Sequence, residues 1–327
     1  MSTRRLLLIQ GRAVLAAVLT LSPLAALEYP EPRIGALGTE FADILDDTTA
    51  ALTLYPQSAS ALEFWLVGAR VGPGSRLELL GISRGPLAVG LKANGYPLSG
   101  QLEDVTAILA GHVSPVRIGL APDLPQLSTP RPSGLPQQDR WDVTRRFSGR
   151  TGASVTIGNI AIDGRLDVAL RQYTHWDDFG ESIVIRMLSN TNTSRAGLRV
   201  SHARGQHLLR ACVEYQYMDQ AIEYVAVESL PEQWDYHLVT LRIGDNYRAG
   251  NSLTAAALRI SLGRSMLTNI GQREGTDTVW NAGLSIPVGM EYTWRTMNFR
   301  AGVTGFFPLS SSQYLSGADV WLYAGLA

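Results

Sequence analysis

The segment 278–295, TVWNAGLSIPVGMEYTWR, alternates apolar and polar residues without interruption. Strict alternation has the two-residue period of a β-strand. A strand in a soluble protein usually has about 5–6 residues, and this one is far longer. The apolar row consists of Trp280, Ala282, Leu284, Ile286, Val288, Met290, Tyr292 and Trp294, and the opposite row includes Glu291 and Arg295.

Two tryptophans stand at the ends of this apolar row. At ~3.3 Å per residue, Trp280 and Trp294 are about 46 Å apart along the strand. A tilt of about 40° reduces this to roughly 35 Å along a membrane normal, comparable with aromatic girdles that flank an apolar band of ~25 Å. The spacing favours a membrane-spanning strand. A long strand of a soluble β-sandwich is the alternative.

The same alternation recurs in four further segments, RLDVALRQY, YHLVTLRIG, AALRISLGR and NFRAGVTGF. Charged residues such as Arg171, Arg242 and Arg259 lie opposite their apolar rows. Further strand candidates bring the total to about 14. Antiparallel strands that close on themselves satisfy every backbone polar group in a bilayer. We therefore predict an all-β fold, a transmembrane antiparallel β-barrel of about 14 strands.

The N-terminus and the composition are consistent with an exported membrane protein. Residues 1–26 read as a signal peptide, with Arg4 and Arg5 before a short apolar stretch. The remaining chain has no apolar run long enough for a transmembrane helix. Charged residues make up 17% of the chain, below the ~25% of a typical soluble domain. A single cysteine excludes a disulfide framework, and a net charge of -1 gives no electrostatic basis for nucleic-acid binding.

Residues 122–150 interrupt the alternation. They are rich in proline and carry an arginine cluster, which consists of Arg140, Arg145, Arg146 and Arg150. We interpret them as a long extracellular loop. Its arginines are expected to be solvated or to meet lipopolysaccharide phosphates, and a ligand site is the alternative.

No motif in the chain predicts catalysis. The stretch GISRG, at 81–85, matches the G-x-S-x-G pattern of a nucleophile elbow, which requires a strand, a sharp turn and a helix. Here the flanking residues read as strand, turn and strand, so Ser83 is interpreted as a hairpin residue. The histidines are scattered. We predict no catalytic residue, no metal site and no cofactor.

The segment RIGALGTEFADILDDTTAALTLYPQSASAL, which starts at Arg33, differs in character from the strands that follow. It resembles the N-terminal hatch of the FadL-type outer-membrane transport family and its PorV- and PorQ-like relatives. Gly35 and Gly38 match the family's glycines, and Asp46 and Asp47 match its paired acids. Pro56 matches the proline that precedes the first strand, although Tyr55 stands before it where the family has asparagine.

This resemblance implies that residues 27–58 form a hatch, or plug, inside a barrel formed by residues 59–327. In such a barrel the polar strand faces line the lumen, so Arg171, Arg242, Arg259, Glu291 and Arg295 become lumen-facing candidates. The acids of the segment, Asp43, Asp46 and Asp47, are expected to bond these arginines. The alternative is that the segment is a periplasmic tail.

The resemblance also implies a location in the bacterial outer membrane and two functions. One is passive uptake of hydrophobic compounds such as long-chain fatty acids, with the plug as gate. The other is that of a non-transporting accessory barrel in a protein secretion or surface-attachment complex. The expected partners are the lipid bilayer, lipopolysaccharide, a hydrophobic small-molecule ligand and, in the second case, a secretion-complex protein.

Overall fold

The computed structural model describes most of the chain beyond its first forty residues. Among the described residues, no helix is both long enough and apolar enough to span a membrane. The predicted signal residues 1–26, together with Gly35, Gly38, Asp46 and Asp47, lie outside the described part. The described residues are 41, 43–45, 52, 54–62, 65–71, 77–83, 85–96, 101–124, 126–127, 139–178, 186–224, 231–269, 275–295, 297–309 and 319–326.

The described chain is dominated by strands, preceded by one short 3-10 helix, Pro56–Ala61. The strands lengthen toward the middle of the chain, where several have 17 to 19 residues. Their bounds are β1 (Leu66–Val71), β2 (Leu77–Ile82), β3 (Leu87–Tyr96), β4 (Gln101–Val113), β5 (Val116–Pro122), β6 (Gln126–Leu127), β7 (Asp139–Ile157), β8 (Ile160–Asp178), β9 (Arg186–Arg204), β10 (His207–Tyr224), β11 (Glu232–Ala249), β12 (Ser252–Thr268), β13 (Thr276–Trp294), β14 (Met297–Pro308) and β15 (Asp319–Leu326).

All fifteen strands belong to one antiparallel sheet in which each main strand pairs with its neighbours along the chain. The two-residue β6 pairs with β7 off this path, which leaves fourteen main strands among the described residues, in agreement with the predicted number of about 14. From β4 onward, the connections between main strands alternate between two-residue turns and longer segments. The turns 158–159, 205–206 and 250–251 each place a glycine at a φ of about 60°, a conformation that glycine adopts without strain. Short turns of outer-membrane barrels face the periplasm.

The strands extend further than the sequence pattern indicates. The loop predicted over 122–150 ends where β7 begins at Asp139, so residues 139–150 are strand and that part of the prediction is wrong. Arg146 and Arg150 lie within β7, and Arg150 Nε is 3.4 Å from Asp167 Oδ1 on β8. The two strands hydrogen-bond over their whole length, which keeps this stretch regular although Arg145 interrupts its apolar row.

The two faces of the sheet are reversed relative to a water-soluble protein. In β13, Ile286, Val288 and Met290 are exposed, whereas the intervening Ser285 and Pro287 are buried. The outward face is apolar around the sheet, and buried polar residues recur on the inward face from β7 to β14. Exposed apolar residues include Val89, Leu91, Leu166, Val168, Leu198, Val213, Leu241, Leu262 and Phe299. Buried polar residues include Ser148, Ser154, Asp163, Arg165, Arg199, Glu214, Thr240, Ser265 and Arg300.

This reversal is stable only when lipid covers the outer face. Each exposed aliphatic side chain would favour burial by about 1.5–3 kcal/mol in water. In a bilayer the same row is at its free-energy minimum, and the polar row lines the lumen. Trp280 and Trp294 are on the outward face, 66% and 49% exposed, at the two ends of the apolar row as predicted. The fold is a transmembrane β-barrel.

A charge placed on the apolar band should prevent stable insertion. On the outward face of β9, Leu198 is 46% exposed within the band. Asn192 lies on the same face, toward the long connections. We expect Leu198→Arg to cost about 2–4 kcal/mol of folding free energy in lipid vesicles, measured by urea titration. Asn192→Arg is the matched control and should cost less than half as much. Equal losses would contradict this placement of the band.

Candidate functional site

The described N-terminal residues lie inside the barrel. We call residues 41, 43–45, 52 and 54–62 the plug. It is buried well past the predicted boundary at residue 58, through Leu62, which is 7% exposed. Leu52, Ala59 and Leu62 form an apolar cluster with inward residues of β1 to β5. These wall residues are Leu66, Leu80, Ile82, Ala88, Ile108, Ala110 and Ala121.

A second apolar contact lies on the other side of the lumen. Phe41, Ile44 and Leu45, all at most 1% exposed, pack against Leu253 and Ala255 of β12. The plug thus covers the inward apolar residues of two separate parts of the wall. Without it, these residues would face a water-filled lumen.

The 3-10 helix of the plug, Pro56–Ala61, lies directly on glycines of the barrel wall. Proline suits the first helical position because it lacks the N–H that would be unpaired there, and Pro56 occupies it. A Cβ at Gly119 of β5 would overlap the backbone nitrogen of Gln57, and one at Gly152 of β7 would overlap the Gln57 side-chain oxygen. Gln57 Nε2 donates to the carbonyl oxygens of Ala153 and Gly164, both at 3.3 Å.

Asp43 anchors the plug electrostatically. It is 2% exposed. Arg165 Nη1 of β8 donates to Asp43 Oδ1 at 3.3 Å, and Arg242 Nη1 of β11 donates to Asp43 Oδ2. Glu214 of β10 shares both cations, since Arg165 Nη2 donates to it and Arg242 Nη1 lies 3.9 Å from its Oε2.

Tyr55 occupies the space beside this pair and is fully buried. Its hydroxyl donates to Asp43 Oδ1 at 3.4 Å and lies 3.9 Å from Cys212 Sγ. The Cζ atoms of Arg199 and Arg165 lie 3.9 Å and 5.2 Å from its ring centroid, within cation–π range. Burial, and then the Asp43 carboxylate, raise the pKa of Tyr55 above its usual range, so its hydroxyl remains a neutral donor.

The ion pairs of the plug and wall are balanced in charge. Arg199 donates from Nε and Nη2 to Asp163 Oδ2 at 3.0 and 2.9 Å. We call Asp43, Tyr55, Asp163, Arg165, Arg199, Cys212, Glu214 and Arg242 the lumen cluster. It contains three arginines and three carboxylates, and Asp43 is the only carboxylate that comes from the plug. Removing one partner of a buried ion pair leaves the other charge buried and uncompensated, which destabilises the folded state by about 3–5 kcal/mol.

Backbone groups of the plug are also bonded to the wall. Arg210 Nη1 of β10 donates to the carbonyl oxygen of Ile44 at 3.0 Å and to that of Leu45. Asn246 Nδ2 of β11 donates to the Ile44 carbonyl at 2.7 Å. Since a buried carbonyl needs a partner, these bonds make the turn at residues 43–45 compatible with a dry lumen.

The predicted site residues are placed as follows. Among the plug candidates that the structure describes, Asp43, Tyr55 and Pro56 are buried against the wall. Of the predicted lumen-facing arginines, Arg242 bonds the plug acid Asp43. Arg259 lies directly opposite it in β12. Arg171 shares the inward face of β8 with Arg165 but is exposed.

The remaining two candidates lie at the short-turn end of β13. Glu291 Oε2 accepts from Arg300 Nε at 2.6 Å across the β13–β14 pair. Arg295 does not face the lumen, so that prediction is wrong. β13 ends at Trp294, which pairs with Met297, and Arg295 lies in the intervening turn with a φ of 55°. Its Cζ is 5.3 Å from the Trp294 ring centroid.

Ser83 lies in a hairpin, as interpreted. It connects β2 to β3, and its Oγ accepts from Val89 N at 2.8 Å. Its backbone N–H donates to the Val89 carbonyl, also at 2.8 Å. The strand–turn–helix of a nucleophile elbow is therefore not formed at this position.

Sequence reasoning missed Arg165, Arg199 and Glu214. Two signals could have indicated them. Arg165 has the same parity in β8 as Asp167 and Arg171, and therefore the same face. Isolated glycines within strands mark positions where another backbone approaches closely, and Gly119 and Gly152 point to where the plug lies.

A cavity of ≈ 710 Å³ lies between the plug helix and strands β5 and β8 to β12. Turn residues Gly205 and Gln206 line it, so it is at the short-turn end of the lumen. Its charged lining residues are Arg117, Asp163, Arg199, Arg210 and Arg248. Its apolar lining residues are Ala61, Leu62, Ala161, Ala203, Leu208 and Leu253.

No protein-family model and no curated protein sequence matches the chain. Solved structures with a similar strand arrangement are outer-membrane proteins. The unliganded ferric citrate transporter FecA aligns at 13% identity and a TM-score of 0.46, covering 70% of this chain and 41% of that one. A loop-deleted OmpT of Vibrio cholerae aligns at 11% and 0.39, covering 80% and 90%.

The ferric preacinetobactin receptor BauA from Acinetobacter baumannii aligns at 8% identity and a TM-score of 0.42, covering 72% of this chain and 52% of that one. The chain thus spans about half or less of the FecA and BauA chains. All three TM-scores lie below 0.5, so no ligand or activity passes from these proteins to this chain. Its own reversed faces and buried polar lumen make it a β-barrel of the outer-membrane type.

Proposed function

We propose that this chain is a gated outer-membrane channel for passive uptake of hydrophobic compounds such as long-chain fatty acids, and that the plug is its gate. The observation that supports this is the way the plug is held. One plug carboxylate, Asp43, bonds both Arg165 of β8 and Arg242 of β11. These ion pairs centre on a single carboxylate, so a ligand anion or a partner can replace them without rebuilding the barrel.

The lining of the cavity supports a ligand that is apolar at one end. Leu62, Leu208 and Leu253 border it together with arginines. A volume of ≈ 710 Å³ falls within the ~300–1,000 Å³ of small-molecule sites. The hatch-like N-terminal segment is the second support, since in the FadL-type family that it resembles this segment lies in the path of the ligand.

Uptake can be tested in a bacterial host that lacks its own outer-membrane fatty-acid channel. We expect the full chain to restore uptake of radiolabelled oleate, and Asp43→Asn to change the uptake rate by loosening the plug. Asp245→Asn is the control, because Asp245 pairs with His207 on the outer face. Normal surface levels of the protein without any oleate uptake would rule out this function.

The alternative function, an accessory barrel of a secretion or surface-attachment complex, is favoured by a different observation. The plug backbone lies against Gly119 and the Gln57 side chain lies against Gly152, so that no gap is left at these positions, which suits a lumen that stays closed. Co-purification of a large partner from the native outer membrane, together with absent oleate uptake, would support it over the channel.

A further inference from the structure

The cavity beside the plug carries an excess of positive charge. Four arginines, Arg117, Arg199, Arg210 and Arg248, line it together with the single carboxylate Asp163. Asp163 is bonded to Arg199. The Arg210 guanidinium donates to plug carbonyls, which carry no net charge. Asp163, the carboxylate among the described lining residues, is thus paired with Arg199 and not with Arg117 or Arg248.

Two of these arginines lack a side-chain partner. Within the described part of the chain, neither Arg117 nor Arg248 makes a side-chain hydrogen bond or an ion pair. Arg117 is half-buried on the inward face of β5, and Arg248 is exposed on the inward face of β11. A half-buried guanidinium with free donors is costly unless water or an anion bonds it.

We propose that the cavity is an oxyanion-binding site, in which Arg117 and Arg248 bind the carboxylate or phosphate group of a solute on the short-turn side of the plug. Arginine presents planar paired donors that match such groups. Leu62, Leu208 and Leu253 border the site and accommodate an apolar portion of the ligand. The inference rests on the proposed function in one respect, since it assigns the site to the solute that the channel takes up.

The ligand is then either a small free oxyanion or the headgroup of an amphiphile, and three probes distinguish these sources. Equilibrium dialysis of the full-length protein in lipid nanodiscs, with empty nanodiscs subtracted, would measure binding of inorganic phosphate, acetate and dodecanoate. Tighter binding of dodecanoate than of acetate assigns the site to an amphiphile. Equal binding of the two carboxylates, or binding of phosphate alone, assigns it to a free oxyanion. All three results support the site.

Arginine variants test whether the binding occurs in this cavity. We expect Arg117→Gln and Arg248→Gln each to weaken binding about tenfold, the loss of one charge-assisted interaction. Arg204→Gln, at the same end of the barrel but on the outward face of β9, should leave binding unchanged. Heat-modifiable gel migration would show that each variant is folded.

Two results would overturn the proposal: no probe binds above the empty-nanodisc level, or both cavity variants bind as tightly as the wild type. Binding is measured with the plug in place. If the protein binds phosphate but never takes up oleate, the oxyanion site is supported and the channel function is contradicted. If oleate uptake is unaffected by Arg117→Gln and Arg248→Gln, the channel function is supported and the oxyanion site is contradicted.

Discussion

Replacing Asp43 with asparagine should expose Cys212 to thiol reagents. The variant leaves Arg165 with Glu214 alone and leaves Arg242 only a 3.9 Å contact with Glu214. Because Glu214 compensates part of the lost charge, the cost lies at the lower end of the range for a broken buried pair, about 3 kcal/mol. This cost falls on the docked plug, so the equilibrium for plug release should rise roughly 100-fold.

Cys212 is a reporter supplied by the chain itself. It is the only cysteine, is 2% exposed, and lies beside Tyr55 on the face that the plug covers. We expect maleimide to label it slowly in the wild type and about 100 times faster in Asp43→Asn. Asp245→Asn changes an exposed ion pair with His207, a kind that contributes little, and should label at the wild-type rate. Equal rates in all three proteins would show that Asp43 does not hold the plug.

Adding a side chain at Gly119 should displace the plug by a steric route. The Cβ of valine at this position would overlap the Gln57 backbone, which cannot move aside as a flexible side chain would. Overpacking typically costs about 1–3 kcal/mol, occasionally more, and a backbone overlap belongs at the upper end. We expect Gly119→Val to accelerate Cys212 labelling by about two orders of magnitude.

Gly111→Val supplies the matched control for this prediction. Gly111 lies on the neighbouring strand β4, and a Cβ there meets no atom within 4 Å. The variant adds the same side chain on the outward face and should leave both labelling and barrel stability unchanged. Rapid labelling in both variants would point to general destabilisation of the barrel and would contradict direct contact between the plug and Gly119.

The fold could be predicted from the sequence because the alternation of apolar and polar residues assigns the two faces of each strand. The row from Trp280 to Trp294 predicted a long strand with an apolar outer face, which the structure confirms. One error arose where alternation is incomplete. In residues 139–150, Arg145 interrupts the apolar row of Trp141, Val143 and Phe147.

Only part of the site could be predicted from the sequence. Acids near the N-terminus and arginines on strand faces suggested mutual contacts, and Asp43 and Arg242 make one. Which arginines meet the plug depends on its depth in the lumen, which strand periodicity does not determine. Strands β2 to β4 are apolar on both faces because the inward one packs on Leu52, Ala59 and Leu62. A strand with two apolar faces is typical of the interior of a soluble protein. Only the plug explains why these barrel strands are apolar on the inward face.

Tyr55 illustrates the same limit. In the sequence it departs from the pattern of the FadL-type family, since it replaces the asparagine before the proline. In the structure it is fully buried between two arginines and donates to Asp43. A large aromatic ring before Pro56 fills the space between plug and wall, a role that no local pattern indicates.

Planar-bilayer conductance tests most directly whether residues 41–62 close the lumen. The full-length protein should show little steady conductance, and a variant without these residues should show a large and stable conductance step. Heat-modifiable migration would verify that the shortened barrel remains folded, since the plug covers apolar wall residues such as Leu80 and Ile82. Equal conductance of the two folded proteins would contradict the account of a plugged lumen.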